Sequence, residues 1–196
     1  MNARRLPVRS YNAMMPSQPK DRRRTEQRNP ASKNLDRMTA QEIVRLMNRE
    51  DRKVAVAVGR ESAAIARAVD AIVDGIRKGG RLIYVGAGSS GRMGVLDAAE
   101  CPPTFGTSPK LVVALIAGGR RAVTRAVEGA EDSERNGERD LRAKKLTRKD
   151  VVVGIAASGT TPYVVGALRY ARRLGATILA MTDCTLSVPH TRRLPA

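Results

Sequence analysis

The chain has 196 residues, 42% of them hydrophobic, enough for one domain with a real core and too few for two full ones. No apolar run approaches the roughly 18 residues of a membrane span, and no apolar block with a small-residue cleavage site opens the chain, so no membrane partner and no secretion are expected. The formal net charge of +17 raises the question of a polyanionic partner, and its distribution argues against one.

Residues 1–24 hold seven basic residues against one acid, with Pro7, Pro16 and Pro19 and no helical periodicity, and are expected to form a disordered basic arm. An Arg-rich, acid-poor leader also suits an organellar transit peptide; an over-extended start, with Met14 or Met15 as the true beginning, is the favoured reading. The remaining positive charge is interleaved along helices, and with no Trp and a single Phe there is little surface on which bases could stack, so nucleic acid is not the expected partner. Cys101 and Cys184 stand in no metal-ligand or disulfide spacing, which fits a reducing, cytoplasmic setting.

Thr39-Ala40-Gln41-Glu42 has capping-box spacing, and Ile43, Val44, Leu46 and Met47 follow at helical intervals. A second helical face, Ile65, Val69, Ile72, Val73 and Ile76, runs from about Val54 to Gly79-Gly80, a left-handed stop. Four short apolar runs then recur, Arg81 to Val85, Leu111 to Ile116, Val151 to Ile155 and Thr177 to Met181. Helical patterns separate them at Gly91 to Ala98, at Arg121 to Glu128 continuing towards Lys145, and at Pro162 to Leu174. Strand and helix in alternation predict an α/β fold, a doubly wound parallel sheet, preceded by N-terminal helices.

In such sheets ligands sit beyond the carboxyl ends of the strands. Two loops there are rich in glycine and hydroxyls: Gly86, Gly88, Ser89, Ser90 and Gly91 after the first strand, and Ser158, Gly159, Thr160 and Thr161 after the third. Glycines admit an oxyanion close to backbone N–H groups, hydroxyls donate to it, and a helix start adds further donors, so a phosphate monoester fits. Hydroxyls that merely cap helices are an equally good account of one such loop, and two at one edge favour a ligand. Gly86, Gly88 and Gly91 also satisfy the dinucleotide fingerprint, but Arg120-Arg121 stands where an acidic ribose ligand is needed, leaving only an NADP-type oxidoreductase as a minor alternative. No lysine follows the glycines as a P-loop requires.

Proton transfer falls to carboxylates, because the only histidine, His190, lies in a polar tail. Asp97 and Glu100 follow the first loop, and Glu128, Glu131 and Asp132 follow the second strand; Glu128, Glu134 and Glu138 are read as solvated helix residues. No metal-ligating cluster and no cofactor is called for.

Thr25 to Pro30, Gly79 to Tyr84, Gly86 to Arg92, Glu100-Cys101-Pro102-Pro103-Thr104, Val127 to Asp132 and Asp150 to Tyr163 together resemble the N-acetylmuramic acid 6-phosphate etherases, which carry a sugar isomerase (SIS) domain and are related to glucokinase regulatory protein. The resemblance spans about 25–181. It implies an SIS-type, Rossmann-like sheet, a homodimer, a sugar 6-phosphate substrate and cleavage of the D-lactyl ether in cell-wall sugar recycling. It further implies that Glu100 is the proton donor to departing lactate and Glu131 the second catalytic residue, assigned as the base at C2. Thr160 stands where family members carry arginine. After Met181 the resemblance stops, so the expected organisation is an arm over 1–24, a helical segment over 25–78, a partial SIS domain over 79–181 with an incomplete sheet, and a divergent tail over 182–196. A truncated or frame-shifted product is the corresponding expectation, with a non-catalytic sugar-phosphate-binding module or inactive fragment as the alternative function.

Overall fold

The structure, a computed structural model, describes residue 25 and residues 27–183. The expected arm and nearly all of the expected tail, with Cys184 and His190, lie outside the described residues. Two single 3-10 turns, Pro30–Ser32 and Leu35–Arg37, lead into helix α1 (Ala40–Arg60). Its start is the expected capping box: Thr39 Oγ1 accepts from the Glu42 N–H at 3.3 Å, and the Glu42 carboxylate accepts from the Thr39 N–H at 2.7 Å. The two helices divide later than the apolar spacing suggests. α1 passes through Val54 and ends beyond Gly59, a poor helix former, and Glu61 makes a single-residue joint at φ −96° and ψ 8° before α2 (Ser62–Arg77). α2 closes as expected: Gly79 takes φ 79°, and the Gly80 N–H reaches back to the Gly75 carbonyl at 3.0 Å.

Each apolar run becomes a strand: β1 (Leu82–Gly86), β2 (Val112–Ile116), β3 (Val151–Ile155) and β4 (Thr177–Met181). All pair in parallel in the order β2-β1-β3-β4. Alternation along β1 sorts its side chains to two faces. Ile83 and Val85 join Val152 beneath α5 (Glu134–Ala143) and α6 (Pro162–Leu174), whereas Leu82 and Tyr84 face Ala98 and Cys101 of α3 (Gly88–Phe105) and Ile72 of α2. The sheet is thus covered on both faces, as a buried parallel sheet must be. At the outer edge, β4 is only partly buried and Met181 is 56% exposed.

Two helical expectations are revised. α3 runs on through Pro102 and Pro103 to a left-handed Gly106 at φ 65°, where the sequence pattern suggested a stop near Ala98. The continuous helix expected after β2 is instead one turn, α4 (Arg121–Thr124), then α5, because Gly129 takes φ 68° and the Ser133 hydroxyl caps a new helix by accepting from the Asn136 N–H at 3.2 Å.

β1 and β3 are tied together at their amino ends by Asp150, which is 1% exposed. Its Oδ1 accepts from the Arg81 N–H at 2.8 Å and Arg81 Nε at 3.0 Å, and its Oδ2 from Arg81 Nη2 at 2.9 Å and the Thr147 N–H at 2.7 Å. No helix among the described residues is long and apolar enough to cross a membrane.

Candidate functional site

β1 connects to β2 on one side, β3 connects to β4 on the other, and the two central strands pair with each other, Gly86 opposite Ile155. Their chains part at this point, α3 to one face and α6 to the other, which opens a crevice at the switch point of the sheet. Both hydroxyl loops leave from its lips.

The first loop is shaped by close backbone approach. A Cβ on Gly86 would stand 2.7 Å from the Gly91 backbone, and one on Gly91 would meet Ile116 Cγ1 at 2.6 Å, so neither position takes a side chain. Gly88 needs no space but has φ 52°, which turns the chain into α3. The helix starts at Gly88 with Ala87 as its cap, so Ser89 and Ser90 lie inside the first turn and do not cap it. The N–H groups of that turn have no partner within the helix.

The second loop is tied to itself. Ser158 Oγ accepts from the Thr160 N–H at 3.3 Å and from Thr160 Oγ1 at 3.0 Å across Gly159, which takes φ 68°. Thr161 occupies the cap position of α6 without making a side-chain cap bond, and Pro162 follows as the first helical residue. Capping therefore does not account for Ser89, Ser90 or Thr161. Thr182 Oγ1 and the Asp183 N–H both bond the Ala157 carbonyl, fixing the loop to the end of β4.

Of the two catalytic candidates, the fold brings one to this crevice. The Glu131 carbonyl accepts from the Tyr163 N–H at 3.0 Å, which fixes Glu131 at the start of α6 just behind the second loop with its side chain exposed. Glu100 shares α3 with the first loop but stands twelve residues beyond Gly88, roughly 18 Å along the axis at 1.5 Å per residue. Within one chain the two glutamates and the loops do not converge. Asp97, exposed on α3, lies beside Tyr84 of β1: burial, and then the Asp97 carboxylate, hold the Tyr84 phenol well above the usual tyrosine range. A groove of about 840 Å³ opens elsewhere, along the outer edge of β2 between Val95, Ala98 and Ala143.

Residues 64–172 match the family model of the glucokinase regulatory protein N-terminal SIS domain. An N-acetylmuramic acid 6-phosphate etherase of Actinobacillus pleuropneumoniae serotype 5b is 56% identical over 159 residues, which is 81% of this chain and 52% of that protein. One from Geobacillus thermodenitrificans is 59% identical over 152 residues, covering 78% of this chain and 52% of the relative. The chain belongs to the SIS-domain family of the N-acetylmuramic acid 6-phosphate etherases. It spans about half the length of the curated relatives it matches. The fold of this etherase-family domain is shared with solved phosphoheptose isomerases at 20% identity. The GmhA enzyme of Neisseria gonorrhoeae superposes with a TM-score of 0.59 over 79% of this chain and 88% of that one, and the enzyme of Francisella tularensis with 0.58 over 74% and 76%.

The sequence did not disclose the Asp150 knot or the destination of the Arg92 side chain, both of which join segments far apart in the chain. The arginine directly after two glycine-flanked serines was a signal that could have singled out Arg92.

Proposed function

We propose that this domain binds a sugar 6-phosphate in the crevice between β1 and β3 and cleaves the D-lactyl ether of N-acetylmuramic acid 6-phosphate, yielding N-acetylglucosamine 6-phosphate and D-lactate. The observation that carries this reading is the pair of hydroxyl loops at adjacent strand ends with Glu131 fixed beside the second, in a chain more than half identical to etherases over their shared length. Backbone N–H groups of the α3 start, with Ser89, Ser90, Ser158 and Thr161, supply donors for a phosphate dianion. Thr160 has no positive charge to add.

The chemistry needs one base and one acid. In the open-chain sugar the C1 aldehyde acidifies the C2 proton. Glu131 removes it, the C2–C3 double bond forms, and the C3–O bond breaks with its electrons passing to the lactate oxygen. Glu100 protonates that oxygen. Water then adds at C3 and a proton returns to C2, so atoms and charge balance. Glu100 reaches the crevice only from a second copy of the chain. α3 presents Met93, 61% exposed, and Leu96, 63% exposed, on the outward face that also bears Glu100, and a cytoplasmic homodimer would cover this stripe while delivering the glutamate to its partner's loops.

A second reading, a sugar-phosphate-binding module without catalysis, draws support from the distance of Glu100 to the loops. Turnover in deuterated, heavy-oxygen water separates the two. Elimination and readdition put carbon-bound deuterium at C2 and the heavy oxygen at C3 of the product sugar, with no heavy oxygen in lactate; heavy oxygen in lactate, or binding with no turnover, contradicts the lyase reading.

A further inference from the structure

Arg92 follows the serines of the first loop, a place where a guanidinium would be expected to hold phosphate. Its side chain goes elsewhere. Nε donates to the Val123 carbonyl at 3.0 Å, and Nη2 lies 3.4 Å from the Arg125 carbonyl. These carbonyls stand at the end of α4, where a one-turn helix leaves its last acceptors without helical partners.

From that end the chain runs as a strap, residues 125–133, with no regular helix or strand of its own. Val127 packs onto Gly118, where a Cβ would stand 3.0 Å from the valine Cβ. Tight turns follow: the Ala130 N–H bonds the Val127 carbonyl and the Asp132 N–H bonds the Gly129 carbonyl, each at 3.3 Å. The strap is then gripped by α6 through the Tyr163 N–H at the Glu131 carbonyl. One end is thus held by the helix that carries the first loop and the other by the helix that follows the second.

We propose that Arg92 is a positioning residue: by holding the Val123 and Arg125 carbonyls it fixes the strap that presents Glu131 beside the second hydroxyl loop. The assignment rests on Glu131 being the base at C2. Loss of the guanidinium frees the near end of the strap while leaving the loop serines and backbone donors in place, so substrate affinity is retained and the geometry of proton abstraction is lost.

The test compares wild type, Arg92→Met and Arg92→Lys by hydrogen–deuterium exchange and by the kinetics of D-lactate release. In Arg92→Met, amides of residues 119–133 are expected to exchange at least about 10-fold faster while β1, β3 and α6 keep their protection. The kcat is expected to fall about 10- to 100-fold with KM within about 3-fold, and Arg92→Lys, whose ammonium can still reach one carbonyl, to recover part of both effects. Unchanged exchange over 119–133 overturns the proposal. So does a KM that rises alone, which makes Arg92 a phosphate ligand. Absence of lactate from wild type refutes the lyase reading by itself, and exchange then decides the role of Arg92; should Arg92→Met not fold, Arg92→Lys carries the comparison.

Discussion

Asp150→Asn is expected to remove a large part of the stability of this domain. The carboxylate sits at the amino ends of the two central strands and accepts bonds on both oxygens, two from Arg81 on Oδ1 and three, from Arg81 and Thr147, on Oδ2. An amide retains one acceptor. In its better orientation it keeps the Oδ2 set and turns an NH2 towards the Arg81 N–H and Nε, losing two bonds, both charge-assisted by the carboxylate, and leaving donors facing donors. At roughly 1.5 kcal/mol for each lost bond the cost is about 3 kcal/mol. The Arg81 side chain is 28% exposed, so water softens the loss below that of a fully buried pair. With a urea slope of about 2 kcal/mol/M, the midpoint followed by far-ultraviolet circular dichroism should drop by about 1.5 M. Acid should act on the same group. Burial pushes the Asp150 carboxyl up, but the Arg81 guanidinium and the Thr147 and Arg81 N–H groups outweigh it and hold it below the usual range. Because the folded value is the lower one, this contribution is complete above the unfolded value of about 3.9 and is lost as pH falls below it. The wild-type midpoint should therefore fall more steeply below about pH 4 than that of the Asn variant. A midpoint shift under about 0.3 M, or parallel acid profiles, would refute the reasoning.

Gly166→Ala should destabilise by about 1–3 kcal/mol in thermal melts, since its Cβ would run into the Glu134 backbone where α5 and α6 pack closely; an unchanged Tm would show that the helices can part without cost. Burial, and then the charge and hydrogen bond of Asp140 at 3.0 Å, raise the Tyr163 phenol well above the ordinary value of about 10. Tyr163→Phe should accordingly leave the tyrosinate absorbance gained up to about pH 11 unchanged, and a clear decrease would contradict this placement. Subunit mixing tests where Glu100 acts. Glu100→Gln and Glu131→Gln proteins, each inactive, should on random pairing recover roughly a quarter of wild-type activity, because each mixed dimer has one intact shared site; no recovery with dimers formed would place both glutamates in one chain's site.

What could be read from the sequence was local. Val151 to Ile155 announced a buried strand by β-branched residues and length alone, and Thr39 with Glu42 announced a helix start, since partner and signal lie three residues apart. α3 was longer than its sequence suggested: the helical pattern was legible only from Gly91 to Ala98, yet the helix carries Pro102 and Pro103 into its last turn and ends on Gly106. That added length separates Glu100 from the loop serines, so proximity in sequence misled about proximity in space. The break between α4 and α5 was obscured because apolar periodicity continues across it, while Gly129 and Ser133 set the backbone. Arg81 with Asp150, and Arg92 with Val123, are contacts across 69 and 31 positions that no local pattern encodes.

The most direct test of the account is D-lactate release from N-acetylmuramic acid 6-phosphate by the purified chain, with Glu131→Gln and Glu100→Gln proteins alongside. Release by wild type that both substitutions abolish, with N-acetylglucosamine 6-phosphate still bound by all three, is the expected result. A folded wild-type protein that binds the sugar phosphate and releases no lactate would contradict the lyase assignment and leave a binding module in its place.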